Sequence, residues 1–167
     1  DGRPNPVGSA PDWADYRERN QSFADLGALT PFLLPVTVVT DREPLRANHV
    51  YTTWNFFRTL GVEPALGRQF VEAEGELGSA VAMISHEFWQ GQFGGTADVI
   101  GRSIRIDGTG HTVVGVMPQG FHFLMGVDVW RPMQRGGPFA GARRFHNWLM
   151  IGRLADGVSW PQAQADV

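Results

Sequence analysis

Cysteine is missing from all 167 residues, and its absence removes disulfide frameworks, thiolate zinc sites and cysteine nucleophiles. Lysine is missing too. All 14 basic residues are arginine, scattered among 17 acids for a net charge of −3. A nucleic-acid binder needs a concentrated basic stripe, because neutralised phosphates supply most of its non-specific affinity. The one adjacent basic pair, Arg143-Arg144, reads as part of a solvated loop, so nucleic acid is not expected as a partner. Nor is there a run of the roughly 20 apolar residues that a membrane helix requires. The best candidate, Pro31-Phe32-Leu33-Leu34-Pro35-Val36, is short and broken by prolines. The start, Asp1-Gly2-Arg3-Pro4-Asn5-Pro6, does not resemble a signal peptide, so any membrane segment is expected outside these residues.

The signatures of several chemistries are also lacking. No Gly-x-Gly-x-x-Gly follows a strand and no Walker A loop is present, which leaves phosphate without its usual cradle. There is no Gly-x-Ser-x-Gly elbow. Ser85-His86 are neighbours in sequence, which rarely gives a nucleophile and its base a workable geometry, and a helix N-cap explains Ser85. Among the five histidines no pair stands at i, i+4; His111, His122 and His146 are too widely spaced for a short metal motif. His111, just after a turn, is expected at the surface. Glu72, Glu74 and Glu76 lack the alternating oxygen ladder of a calcium loop and read as a solvated acidic loop. No catalytic, cofactor-binding or metal-binding residue is assigned, and the chain is not expected to be an enzyme.

What is present is a globular composition: 43% apolar and 19% charged residues. A chain of this length buries roughly 70% of its unfolded surface, enough for one domain or two small lobes. Ser9, Pro11 and Asp12 form a capping-box-like start, and Trp13, Tyr16, Phe23 and Leu26 recur at helical spacing beyond it. Val36 to Thr40 and Leu45 to Tyr51 read as paired strands, followed by a short helix from Thr53 to Leu60 with Gly61 as its C-cap. A strand at Ala80 to Ile84 leads into a helix from Ser85 to Phe93, stopped by Gly94-Gly95. Asp107-Gly108 marks a tight hairpin between Ser103–Ile106 and the run through Val116. Met117 to Gly120 is a turn, Val127 to Trp130 and Trp148 to Leu154 are strands, and Ser159 opens a final helix. Trp54, Trp89 and Trp130 sit inside these elements and are expected to pack in the core rather than to line a groove.

The ordered landmarks carry more information than any single site. They run Pro11-Asp12-Trp13-Ala14-Asp15-Tyr16-Arg17, Trp54-Asn55-Phe56-Phe57-Arg58-Thr59-Leu60-Gly61-Val62, Leu66-Gly67-Arg68-Gln69-Phe70 and Val81-Ala82-Met83-Ile84-Ser85-His86-Glu87-Phe88-Trp89. Phe93-Gly94-Gly95, Val99-Ile100-Gly101-Arg102, Val113-Val114-Gly115-Val116-Met117-Pro118, Asp128-Val129-Trp130-Arg131-Pro132 and Arg153-Leu154-Ala155-Asp156-Gly157-Val158-Ser159 complete the series. In this order the chain resembles the MacB-like periplasmic core domain of ABC-transporter permeases, and more narrowly the acidobacterial-type duplicated permeases. The resemblance implies an α+β fold of two lobes. A Porter-like lobe would comprise residues 1–67 plus 143–167, and an inserted, mostly-β Sabre-like lobe residues 68–142. It implies that a strand before residue 1, and the rest of the last helix with its following strand, lie outside the sequence. It also implies a non-catalytic ectodomain on the periplasmic side of the cell membrane, which transmits motion and contacts cargo or a periplasmic adaptor. Its partners would be the flanking membrane helices and, indirectly, a cytoplasmic ATPase. With no long apolar heptad, the fragment is expected to be a monomer. The alternative is a periplasmic module that binds a peptide, lipid or drug.

Overall fold

The first helix stops sooner than its apolar spacing predicts. The computed structural model describes residues 7–124, 126–137 and 146–165, and in it α1 covers Ala10–Arg19. Its start is as expected: Ser9 Oγ accepts from the Asp12 N–H at 3.2 Å, and the Asp12 carboxylate accepts from the Ser9 N–H at 2.8 Å. Asn20 ends it. Its side-chain amide donates to the carbonyls of Tyr16 and Arg17, while its Oδ1 accepts from the Phe23 N–H. One side chain thus satisfies the last turn and launches the next segment. Phe23 and Leu26 therefore lie on a strand, β2 (Phe23–Leu29), and not on the predicted helix; Tyr16 is left exposed.

β2 is the inner strand of a terminal layer. Its neighbour is β10 (Trp148–Leu154), antiparallel, and β10 in turn pairs with the short β1 (Val7–Gly8). Helix α1 lies against β2, as does α2 (Phe56–Leu60), which ends on left-handed Gly61 as predicted. Gly27 permits the close approach of α2, since a Cβ there would stand 3.0 Å from the Phe56 Cα. The final helix, α4, covers Trp160–Ala165.

The remaining principal strands close on themselves. The hairpin of β3 (Leu34–Val39) and β4 (Leu45–Thr52) pairs through β3 with β7 (Ser103–Ile106). β7 pairs with β8 (Thr109–Val116), β8 with β6 (Val81–Ile84), and β6 with β9 (Val129–Pro132). β9 then runs parallel to β4, completing a ring of β4, β3, β7, β8, β6 and β9 with no free edge between them. A two-residue strand, β5 (Leu66–Gly67), flanks β8. Inward positions alternate along each strand, so Val38, Ala47, Ile84, Ile106, Val113 and Val129 share one apolar interior. Helix α3 (His86–Phe93) adds Phe88 to it, with Ser85 Oγ accepting from the Phe88 N–H and left-handed Gly94 as the C-cap. The β3–β4 hairpin, early in the sequence, is thus built into the ring with strands from later in the chain.

The hairpin between β7 and β8 is the tightest connection. Asp107 and Gly108 take φ values of 47° and 84°, the two-residue turn whose twist matches antiparallel strands. Asp107 Oδ1 accepts from the Thr37 N–H at 2.8 Å, anchoring the turn to β3. A Cβ on Gly108 would meet nothing within 4 Å, so a larger residue is opposed by backbone conformation alone. Gly108→Val should cost roughly 1–3 kcal/mol, and Gly108→Asn much less. Thermal unfolding reads the difference at roughly 2–4 °C per kcal/mol for a chain of this size; equal melting temperatures for both variants would contradict it.

Candidate functional site

Closing the ring through β4 and β9 brings three polar side chains to one mouth of the barrel. His49, Tyr51 and Arg131 all occupy inward positions, His49 opposite Val129 and Tyr51 opposite Arg131. Arg131 Nη2 donates to Tyr51 Oη at 2.8 Å and stands 3.0 Å from His49 Nε2. Its guanidinium also lies over the Tyr51 ring, 4.8 Å from the centroid. His49 Nε2 must therefore be the acceptor, which puts the ring proton on Nδ1, and the backbone of Val50 also hydrogen-bonds the ring. His111 joins the group from β8, with its Nδ1 2.9 Å from the Thr109 carbonyl. Tyr51, Arg131 and His111 open onto a cleft of about 240 Å³, walled also by Ala80, Met133 and Trp148.

Burial governs the charge at this mouth. His49 is lowered to about 4 by removal from water and by the adjacent Arg131 cation. Burial lowers His111 in the same sense, against the opposing pull of the Thr109 carbonyl. Both imidazoles are neutral at pH 7, so among the described residues lining this mouth only Arg131 carries full charge.

The histidines and acids weighed in the sequence fall differently. His111 is buried at 7% exposure, not at the surface: the two-residue turn sets it opposite Ile104 on the inward face. His122 and His146 are exposed and do not line the cleft; His146 stands 3.7 Å from Asp12 Oδ2. Ser85 Oγ is engaged as the N-cap, and His86 packs edge-on to Trp89. Glu72 and Glu76 are exposed as expected, but Glu74 is not solvated. It is buried in a bidentate pair with Arg68, at 2.7 and 3.0 Å, and also accepts from the Val71 N–H. Trp130 is buried, and Trp54 and Trp89 pack against the core clusters. Among the described residues no group of His, Asp or Glu could hold a metal ion. The sequence reading passed over His49 and Arg131. The available signal was their position: polar residues at inward steps of the alternations Ala47-x-His49 and Val129-x-Arg131.

A small closed barrel joined to a helix-covered terminal layer defines a mixed α+β module, and among the described residues no helix is long and apolar enough to cross a membrane. Solved structures with this fold include the periplasmic region of MacB from Actinobacillus actinomycetemcomitans. That structure has a TM-score of 0.74 and 14% identity, over 95% of this chain and 71% of the other. The extracellular domain of the noncanonic ABC-type transporter YknZ from Gram-positive bacteria gives 0.70 and 15%, over 98% and 80%. A domain of a putative permease from Porphyromonas gingivalis gives 0.68 and 17%, over 93% and 66%. No curated protein sequence matches. The chain belongs to the MacB-like periplasmic core domain family, whose sequence model matches residues 2–167. It is a periplasmic domain of a MacB-like ABC-transporter permease, and such a permease implies transmembrane helices and an ATPase as partners.

The neutral His49 makes folding sensitive to acid. Below its ordinary value of 6.5 the unfolded chain takes up a proton that the folded site refuses until about pH 4. Stability is therefore full above pH 6.5 and falls as the pH drops towards 4, by about 2 kcal/mol at pH 5 from this group. Melting temperatures from pH 7.5 to 5 should fall more steeply for the native chain than for His49→Gln. Parallel slopes would show that His49 does not set this dependence.

Proposed function

We propose that this domain is a non-catalytic coupling module that moves with the permease's membrane helices and contacts cargo or a partner protein during export. In this reading it has two lobes. The terminal segments 1–67 and 143–167 surround the insert 68–142, and the β3–β4 hairpin reaches from the first into the barrel of the second. The observation that carries the reading is one apolar cluster shared by both. Phe57 of α2 packs against Phe70, Phe121 and Trp130, with ring centroids 6.2, 5.9 and 5.8 Å away, and Phe56 meets Phe123 at 5.3 Å. Leu29 and Leu149 of the terminal layer join the same cluster.

The backbone junction supports it. Where β2 meets β4, Leu29 opposite Thr52, the ladder is extended by side chains. Thr53 Oγ1 accepts from the Ala28 N–H at 3.0 Å and Thr30 Oγ1 from the Tyr51 N–H at 3.1 Å. A packed interface with fixed hydrogen bonds transmits displacement because interiors are dense and not continuously deformable. The capping role of Ser85 and the structural pairing of Glu74 agree with a domain that performs no chemistry.

Two measurements test the coupling. Phe57→Ala should cost about 3–5 kcal/mol and shift a single cooperative transition; a second transition left at the native temperature would mean the lobes unfold independently. In the intact permease, slack should uncouple hydrolysis from transport. Gly67 is a poor place to add it, because its backbone is packed so closely that a Cβ would meet the Val114 carbonyl oxygen at 2.2 Å. Gly136 has open space around it. A Gly/Ser segment inserted between Gly136 and Gly137 should leave ATP hydrolysis near the native rate and reduce export several-fold. Undiminished export would overturn the mechanical reading.

A further inference from the structure

We propose that the cleft at the barrel mouth is a binding site for a carboxylate carried on a small apolar body, with Arg131 as its counter-charge. The inference does not rest on the mechanical reading, since the site fills in the same way whether or not the domain relays motion.

The first observation is a cation without an anion. Arg58, Arg68, Arg102 and Arg135 each pair with a carboxylate. Among the described residues none lies within ion-pair distance of half-buried Arg131, and Asp107 acts on it only through the longer-range field of its charge. Its hydrogen bonds go to two neutral groups, Tyr51 and His49. A buried charge is ordinarily paired, so a lone guanidinium beside a cleft leaves a demand for negative charge. Among the described residues no acidic side chain lines the cleft to meet it.

The second observation is an excess of donors. Arg131 Nε and Trp148 Nε1 are both buried without an acceptor among the described residues, and both residues wall the cleft. His111 Nδ1 is already used by the Thr109 carbonyl. Native interiors rarely leave buried donors unsatisfied, and here two belong to residues of one cleft. An acceptor-only group, as a carboxylate is, suits such a wall.

Size and charge narrow the ligand. About 240 Å³ is below the roughly 300–1,000 Å³ of pockets for drug-sized molecules, so only a short group enters. One full positive charge, flanked by two neutral imidazoles, matches a monoanion rather than a phosphate dianion. Ala80, Val81, Pro132 and Met133 provide an apolar wall for a short aliphatic body. A free small acid and the C-terminus of a peptide present this same chemistry.

The test is an amide-resolved NMR titration of the unmodified chain with N-acetyl-L-leucine, N-acetyl-L-leucinamide and inorganic phosphate. The acid should give saturable shifts at Gly78, Ser79 and Gly137 at millimolar concentration, and the neutral amide none. Arg131→Gln should weaken the acid at least about tenfold. Should that variant fail to fold, the contrast between acid and amide on the native chain decides the matter alone. Equal binding of acid and amide, no saturation with the acid, or tighter binding of phosphate would each overturn the proposal. Short peptides with free and amidated C-termini identify the source. Preference for the free terminus over N-acetyl-L-leucine supports a peptide end, and binding of the small acid alone supports a free metabolite.

Discussion

The parallel pairing of β4 with β9 is the constraint on which the rest of the molecule depends. It joins segments 80 positions apart, and it is fastened by Asp128, whose Oδ2 accepts from the Asn48 N–H while its own N–H donates to the Asn48 carbonyl. Ser85 adds a further bond, donating its N–H to the Asp128 carbonyl. Without this seam β4 and β9 would each expose an edge, and the interior holding Val38, Ile84 and Ile106 would open to water. Closing so long a loop costs entropy that only the completed ring offsets.

The seam also explains why one short strand serves two purposes. Successive residues of a strand face opposite ways. Trp130 therefore turns outward to Phe57 and Phe121, where the terminal layer docks, and Arg131 turns inward to His49 and Tyr51. A one-residue slip would place an arginine in the aromatic cluster and a tryptophan at the cleft. Register is thus fixed from both sides, by apolar packing outside and by the hydrogen bonds of Arg131 within.

This division between local and distant determinants is also what limited reading the fold from sequence. Ser9 with Asp12, Gly61, Ser85 and Asp107-Gly108 were legible because each acts within a few residues of itself. The helix end at Asn20 was not, since spacings of three, seven and three from Trp13 to Leu26 suit a helix until a side chain takes over the last carbonyls. Glu74 reads as a solvated acid until Arg68 folds back on it. The ordered motifs gave the family, but the candidate site needed the seam: nothing near Arg131 in sequence announces His49, and nothing near His49 announces Trp148.

That assembly from distant pieces has a consequence for how a ligand acts. The cleft is walled by Arg131 and His111 from the barrel and by Trp148 from β10, the middle strand of the terminal layer. A molecule seated there binds fully only where barrel and layer keep their present arrangement. It therefore stabilises that arrangement over any other by the difference in its affinity for the two. The shared cluster around Phe57 holds the parts together in the absence of ligand, and the cleft lies on a separate line of contact between them. Occupancy of a small site can thus bear on the position of whole elements without any change in the apolar core, because both walls belong to bodies that Trp130 and Phe57 already bind together.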